Sequence, residues 1–393
     1  MKRQHLLALF AAILAVGFFD STAYSQRWGN AMERMNARAA EVLGQPFVGV
    51  TTNGKQIPDL FPIRASGVST EPVRKAAEAF LNGLSKAQRD KTVFPVDDAE
   101  WQLWANQHFY VRQGVGFDEM DQTQRELAFG LLKASLSDKG LQRSQDVMKL
   151  NYTLGELANN NFEELNEWLY WITIMGEPSA TEPWGWQIDG HHLIINYFML
   201  GDQVVMSPVF VGSEPPIATS GKFKGLAVMQ DEQEAGLEMI NSLDDAQLKQ
   251  AVIETGKTGN NILSEAFKDH IVLDYAGIRG DALTSSQKSL LLAVVEEYVG
   301  NMDQGHARIK MDEVKSHLDE TYFAWIGGHE ADSVFYYRVQ SPVLLIEFDH
   351  INPTFLPGPR VPTRQHVHSM LRTPNGNDYG KDLLRQHYAR SHR

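Results

Sequence analysis

The sequence predicts an α+β fold, with a helical N-terminal half and a mixed, mainly antiparallel sheet built from two separated segments. Three observations carry that prediction. Helical spacing of apolar residues dominates from about 27 to 160. Runs rich in β-branched and aromatic residues are confined to about 168–213 and 320–371. Strands and helices do not alternate regularly, as a parallel, doubly wound sheet would require.

Lys2 and Arg3, the apolar run Leu6–Phe19 and the small-residue pattern Ala23-Tyr24-Ser25 before Gln26 are expected to form a cleaved export signal over residues 1–25. As a helix that run spans roughly 21 Å, short of the roughly 30 Å hydrocarbon core, so no stable membrane insertion is expected after cleavage. Residues 26–393 are then expected to form a single globular α+β domain, exported to the periplasm or the extracellular space.

Thr70-Glu71-Pro72 ahead of Val73, Ala76, Ala77, Phe80, Leu81 and Leu84 reads as a capped amphipathic helix with Pro in its first turn. Asp118 to Ser137 repeats that signature, with Leu127, Leu131 and Leu132 at helical spacing, and Leu141 to Leu157 reads as a third helix. The aromatics Phe80, Trp101, Trp104 and Phe129 are expected to pack in the core. At Trp168 the character changes: Leu169 to Met175 reads as a strand broken by Gly176-Glu177-Pro178. Trp186 to Leu200 and Val204 to Val211 are expected to pair through a turn at Gly201-Asp202. Helices return over 230–248 and at Thr284 to Tyr298, where Thr284 and Gln287 have capping-box spacing. Tyr322–Ile326, Val334–Val339, Val343–Phe348 and His366–Leu371 supply the second set of strands. The last two are separated by a Pro- and Gly-rich loop, and a helix over Asp382–Tyr388 closes the chain. No internal repeat is apparent.

A formal net charge of −13 argues against nucleic acid or an anionic membrane as partner, because both need a basic surface. The absence of cysteine removes disulfides, thiol catalysis and thiolate ligation, so any metal must be held by His and carboxylate. A Gly-x-Ser-x-Gly elbow and a His-Glu-x-x-His helix are both missing.

Two groupings of the 13 histidines stand out. His366-Val367-His368 on a strand places both imidazoles on one face, an arrangement that suits two ligands to one metal. Gly190-His191-His192 opens the run Leu193-Ile194-Ile195-Asn196. Adjacent strand residues point to opposite faces, so only one of this pair can share an ion with the first grouping if the strand is regular. Glu347, set in the apolar run Leu344–Phe348, needs a cation or hydrogen bonds to stay ionised there, and completes the expected metal set of His366, His368, His192 and Glu347. Arg372 offers a bidentate fork for an anionic substrate group, and Asp378 is expected to orient it or a ligand histidine. Thr373 to Asp378 also reads as a turn, which is compatible with a site on a scaffolded loop. Trp184 and Asn377 are further candidates for substrate contact, whereas Trp186 is expected in the core.

Trp184-Gly185-Trp186, Gly190-His191-His192-Leu193, Pro208, Phe210, Gly212 and Pro215 form one block that resembles a bacterial and fungal family catalogued as domain of unknown function 3500. The second block is Tyr322, Trp325, Gly327, Tyr337-Arg338, Pro342, Glu347, Asp349, His366, His368, Arg372, Asn377-Asp378 and Gly380. The resemblance implies a shared fold and brings no established activity. Metal-binding cupins also use a His-x-His strand, but they want a Glu a few residues later where Arg372 sits here, and the likeness does not support a cupin.

The residues therefore point to one divalent metal ion (zinc, copper or iron) in a His-rich pocket of a hydrolase or oxidoreductase. The catalytic set would draw on His191, His192, Arg372 and Asp378, and the substrate would be a small anionic molecule. A metal-free enzyme with a histidine base and an Arg372 clamp, or an exported ligand-binding protein without chemistry, are the alternatives.

Overall fold

The computed structural model describes residues 16–391, with side chains from Trp28 onward; residues 1–15, which hold most of the expected export signal, and 392–393 lie outside the described residues. Up to Gln45 the chain forms one unit, whose described part is helix α1 (Val16–Leu43). Residues 46–393 form a second unit that holds the sheet. Among the described residues no helix is long and apolar enough to cross a membrane.

The fold is α+β. The second unit opens with α2 (Glu71–Gly83), α3 (Lys86–Thr92), β1 (Val93–Phe94), β2 (Val115–Gly116), α4 (Gln122–Ser135) and α5 (Asp138–Leu157). Four strands follow: β3 (Tyr170–Met175), β4 (Trp184–Gly190), β5 (Leu193–Leu200) and β6 (Gln203–Ser213). The chain then runs through α6 (Gln230–Asn241), α7 (Asp245–Ala251), β7 (Val252–Glu254), β8 (Ile278–Arg279), α8 (Ser285–Val299) and α9 (Gln304–Ser316). Strands β9 (Tyr322–Gly327), β10 (Phe335–Gln340), β11 (Leu345–His350) and β12 (Val367–Arg372) follow, and α10 (Lys381–Ser391) closes the chain. The strands form one sheet in the order β1-β3-β4-β5-β6-β12-β11-β10-β9-β7, with β2 beside β3 and β8 beside β9.

That order corrects the reading that no repeat is present: the second half repeats the first, and the halves meet antiparallel at β6 and β12. Ile172 pairs with Val115 and Ile188, and Phe323 pairs with Ile278 and Val339 in the same way. Glutamine brackets recur as well. Gln88 Nε2 donates to Glu119 O and Gln124 Oε1, and Gln247 Nε2 donates to Ala282 O and Gln287 Oε1. Gly114 (φ +88°) and Gly277 (φ +90°) lie where a Cβ would strike the carbonyls of Ile172 and Phe323. The equivalences preserve burial and hydrogen bonds rather than residue identity, so sequence comparison of the halves does not display them.

Local chemistry accounts for most elements. The capping box of Thr284 and Gln287 forms reciprocally at the start of α8, at 3.3 and 2.9 Å. Helix α2 buries Val73, Ala77, Phe80 and Leu81 along one stripe, but Thr70 does not cap it; its hydroxyl donates to Gly201 O at 2.7 Å. The expected continuous strand from Trp186 to Leu200 is divided: Gly190 pairs with Leu193, and His191-His192 is a two-residue turn with His192 left-handed at φ 65°. The helices cover one sheet face over a core that includes Phe80, Leu131, Trp186, Tyr197, Leu291 and Tyr337. Irregular segments and α10 cover the other, where Trp101, Trp104, Phe198, Phe210, Met370 and Tyr379 pack.

His350, buried at the end of β11, shows how tightly this sheet controls ionisation. Its Nδ1 accepts from Phe335 N at 3.0 Å and its Nε2–H donates to Gln233 Oε1 at 2.9 Å, a neutral pairing. Burial, helped by the charges of Arg364 and Lys257, pushes its pKa down to about 3. The folded value lies below the unfolded value of roughly 6.5, so this stability is present above roughly pH 6.5 and is lost as pH falls toward about 3. At roughly pH 5 the loss is about 2 kcal/mol. Urea unfolding of His350→Gln at both pH values should show a difference smaller than that of wild type by that amount; an equal difference would refute the assignment.

Candidate metal centre

Three chain segments build the cluster. The turn between β4 and β5 supplies His192, whose carbonyl accepts from Gly212 N at 2.9 Å. Strand β12 supplies His368 opposite Gly212 of β6, and His366 immediately precedes that strand. A Cβ on Gly212 would lie 2.7 Å from Val367 O and 3.0 and 3.1 Å from the rings of His368 and His192. Glycine is therefore what lets both imidazoles close over the strand.

The three Nε2 atoms converge: His192 to His368 is 3.1 Å, His366 to His192 is 3.2 Å and His366 to His368 is 3.1 Å. The rings are buried, 3–6 % exposed. The opposite nitrogens of two of them are engaged, with His366 Nδ1 donating to Asn352 O at 2.8 Å and His368 Nδ1 donating to Glu265 Oε1 at 2.9 Å. With the protons placed there, the Nε2 atoms of His366 and His368 face each other as lone pairs. Burial holds all three pKa values below the ordinary imidazole range, and for His192 and His368 the neighbouring histidines deepen the shift. The rings are thus neutral at neutral pH, the state metal ligation needs. His192, His366 and His368 form the group among the described residues able to hold a metal ion. Nitrogens at that spacing could each lie about 2.0–2.1 Å from one ion held by His192, His366 and His368, leaving a coordination position open.

Carboxylates brace the ligands from behind. Glu214 Oε1 accepts from the backbone N–H groups of Thr354, Phe355 and Leu356 at 2.8–2.9 Å, and its Oε2 lies 3.5 Å from His366 Nδ1. Glu265 reaches His368 from a side chain one-third exposed. Desolvation of the part turned toward the cluster pushes its pKa up to about 7, against the opposing charge of Lys268. Sequence reasoning missed Glu214, Glu265 and the Asn352 carbonyl; only the Glu214-Pro215 step beside the first motif block offered a local cue.

The remaining expected site residues separate from the cluster. His191 stacks on His192 with ring centroids 3.9 Å apart and bonds Asn151 Oδ1 at 2.8 Å, so it buttresses a ligand rather than joining the ion. Glu347 lies outside the histidine group, and its oxygens are taken by Leu263 N, Ser264 N, the Ser264 hydroxyl and Tyr336 OH. The cation it needed is replaced by four donors.

Arg372 is fully buried, and its fork is filled by Ser264 O, Asp269, Asp378 and Glu265 O at 2.7–3.1 Å. It ties down the segment that carries Glu265 and does not present a clamp to an anion. Asp378 orients Arg372 at 3.0 Å, as expected, while also accepting from Thr373 N at 2.7 Å. Trp184 stands at the far end of β4 from the turn, buried in the core with its indole N–H on Ser179 O. Trp186 packs in the same core. Asn377 is buried before α10 and lines a separate cavity.

The architecture defines an α+β protein whose duplicated halves bring a buried three-histidine, metal-capable centre to their junction. The chain belongs to the family described as protein of unknown function (DUF3500), which matches residues 66–381 and so takes in both histidine-bearing segments. No curated protein and no solved structure matches it.

Proposed function

We propose that the protein is an exported metal-dependent hydrolase that holds one zinc ion on His192, His366 and His368. The observation that carries this reading is the convergence of three Nε2 atoms at 3.1–3.2 Å, two of them lone pairs facing each other with no proton between. The facing lone pairs of His366 and His368 repel unless a proton on His192 Nε2 or a cation lies between them, and a cation satisfies all three nitrogens at once. An all-imidazole donor set with one open position is the pattern of catalytic zinc, where bound water ionises near neutral pH and becomes a nucleophile. Copper also accepts this donor set. A two-histidine, one-carboxylate iron site would need a carboxylate among the ligands, and Glu347 is engaged elsewhere. Export rests on the basic, apolar and small-residue order of residues 1–25.

Glu265 orients His368 and raises its basicity, and Asn352 O does the same for His366. A small-molecule substrate would meet the site beside Glu265, where the side chain reaches solvent. An anionic substrate would draw its counter-charge from Lys268, exposed three residues beyond Glu265, rather than from Arg372.

Untagged protein is expected to carry one zinc per chain and to hydrolyse activated esters. A chelator should abolish that hydrolysis, and added zinc should restore it. Purified protein that holds no stoichiometric transition metal and takes up neither zinc nor copper would overturn the reading.

A further inference from the structure

The approximate two-fold relation between the halves assigns every residue of the histidine cluster a counterpart. Met199 pairs with Val204 as His350 pairs with Val367, and Phe198 pairs with Val205 as Asp349 pairs with His368. One step further along the strands, Leu200 pairs with Gln203, as Ile351 N bonds His366 O. The turn His191-His192 between Gly190 and Leu193 corresponds to Pro342-Val343, which is closed by Ser341 N on Leu344 O. Gln203, Val205 and Val343 thus occupy the places of His366, His368 and His192, at the opposite end of the β6–β12 pair.

That second place is not filled in. An open cavity lies there, between the start of β6, the end of β12, α9 and the segment around Phe61. Phe61, Met206, Ile309 and Leu371 give it apolar walls.

Beside the Glu313 carboxylate, which pairs with Lys310, three polar groups on its lining are donors with capacity to spare. Asn377, 3 % exposed, uses its Oδ1 on Leu383 N at 3.4 Å, while its amide N–H groups donate to no partner among the described residues. The Arg64 guanidinium is exposed and makes no ion pair among them. Lys310 gives two of its three protons, to Glu313 and to Val343 O. Its second bond reaches into the turn that replaces the His192 turn.

We propose that this cavity is a second ligand site, distinct from the metal centre, and that it takes a small monocarboxylate with an apolar body. The carboxylate would accept from Asn377, Arg64 and Lys310 while the apolar body lies against Phe61, Met206 and Leu371. Duplication has thus produced two sites on one sheet, one specialised for a cation by histidine and the other for an amphipathic anion by apolar residues and free donors.

The test is calorimetric titration of the full, metal-loaded chain with straight-chain carboxylates from acetate to decanoate, and with 4-phenylbutyrate and its uncharged amide. Saturable binding of one carboxylate per chain is expected, strengthening with apolar length and at least about tenfold weaker for the amide. Arg64→Ala should weaken it roughly tenfold, and Ile309→Trp, which fills the cavity from the half-buried face of α9, should remove it, both with zinc content unchanged. No saturable binding anywhere in the series would overturn the proposal. So would binding that survives Ile309→Trp, or binding lost in His368→Ala but not in Arg64→Ala.

Discussion

His368→Ala is expected to lower metal content from one ion per chain to below about a tenth and to abolish hydrolysis. Two remaining imidazoles cannot hold a tetrahedral ion against water, and the loss should exceed about 1,000-fold in affinity, or about 4 kcal/mol. The same variant should lose the thermal stabilisation that bound metal gives, about 4 kcal/mol when free metal is about 1,000 times its dissociation constant. Without metal the order reverses. The wild-type chain then keeps nitrogen lone pairs at 3.1 Å in a buried site, whereas the variant does not, so the apo variant should be at least as stable as the apo wild type. Calorimetric melting with and without zinc measures both halves. An apo variant much less stable than the apo wild type would mean that His368 is a packing residue and would remove the metal reading. Glu265→Gln retains a side-chain acceptor but not the charge, and should weaken metal about 10- to 100-fold without emptying the site.

Arg372→Ala is expected to cost about 3–5 kcal/mol of folding stability, read as a lower urea midpoint, because it leaves Asp269 and Asp378 buried without their cation. Combining it with Asp269→Asn and Asp378→Asn should recover most of that loss, since no unpaired charge then remains. The variant should also bind metal more weakly, because Arg372 holds Ser264 O and Glu265 O and so fixes the segment from which Glu265 reaches His368. Were Arg372 a substrate clamp, its loss would raise KM and leave the urea midpoint where it was. The two measurements therefore separate the structural role from the binding role.

Much of the fold could be read locally. Thr284 with Gln287, the apolar stripe of α2 and the aromatic, β-branched run at Tyr170–Met175 each announce their element within a few residues. The pairing of His366 and His368 could be read too, because a spacing of two residues fixes a common face. His192 could not be placed in the same way. The segments on either side of His191-His192 both have strand character and read as one strand from Trp186 to Leu200, whereas the chain turns there through a left-handed histidine. Glu347 was misassigned for a related reason: a buried carboxylate announces a need for compensation but not its source, and here the source is the backbone of Leu263 and Ser264, some eighty residues earlier.

The sequence by itself determined the class of the fold, the existence of most helices and strands, the restriction of metal ligands to histidine and carboxylate, and the shared face of one histidine pair. These follow from caps, periodicity and composition, which act over a few residues or over the whole chain at once. Only the tertiary structure decided that His192 completes the cluster, that Glu265 and Glu214 brace it, and that Arg372 is locked inside. It also decided that the halves are duplicates, with an open cavity at the place in the second half that corresponds to the histidine cluster. Those outcomes depend on the register of β6 against β12 and on which loop covers which face, and register is set by burial shared among residues far apart in the chain.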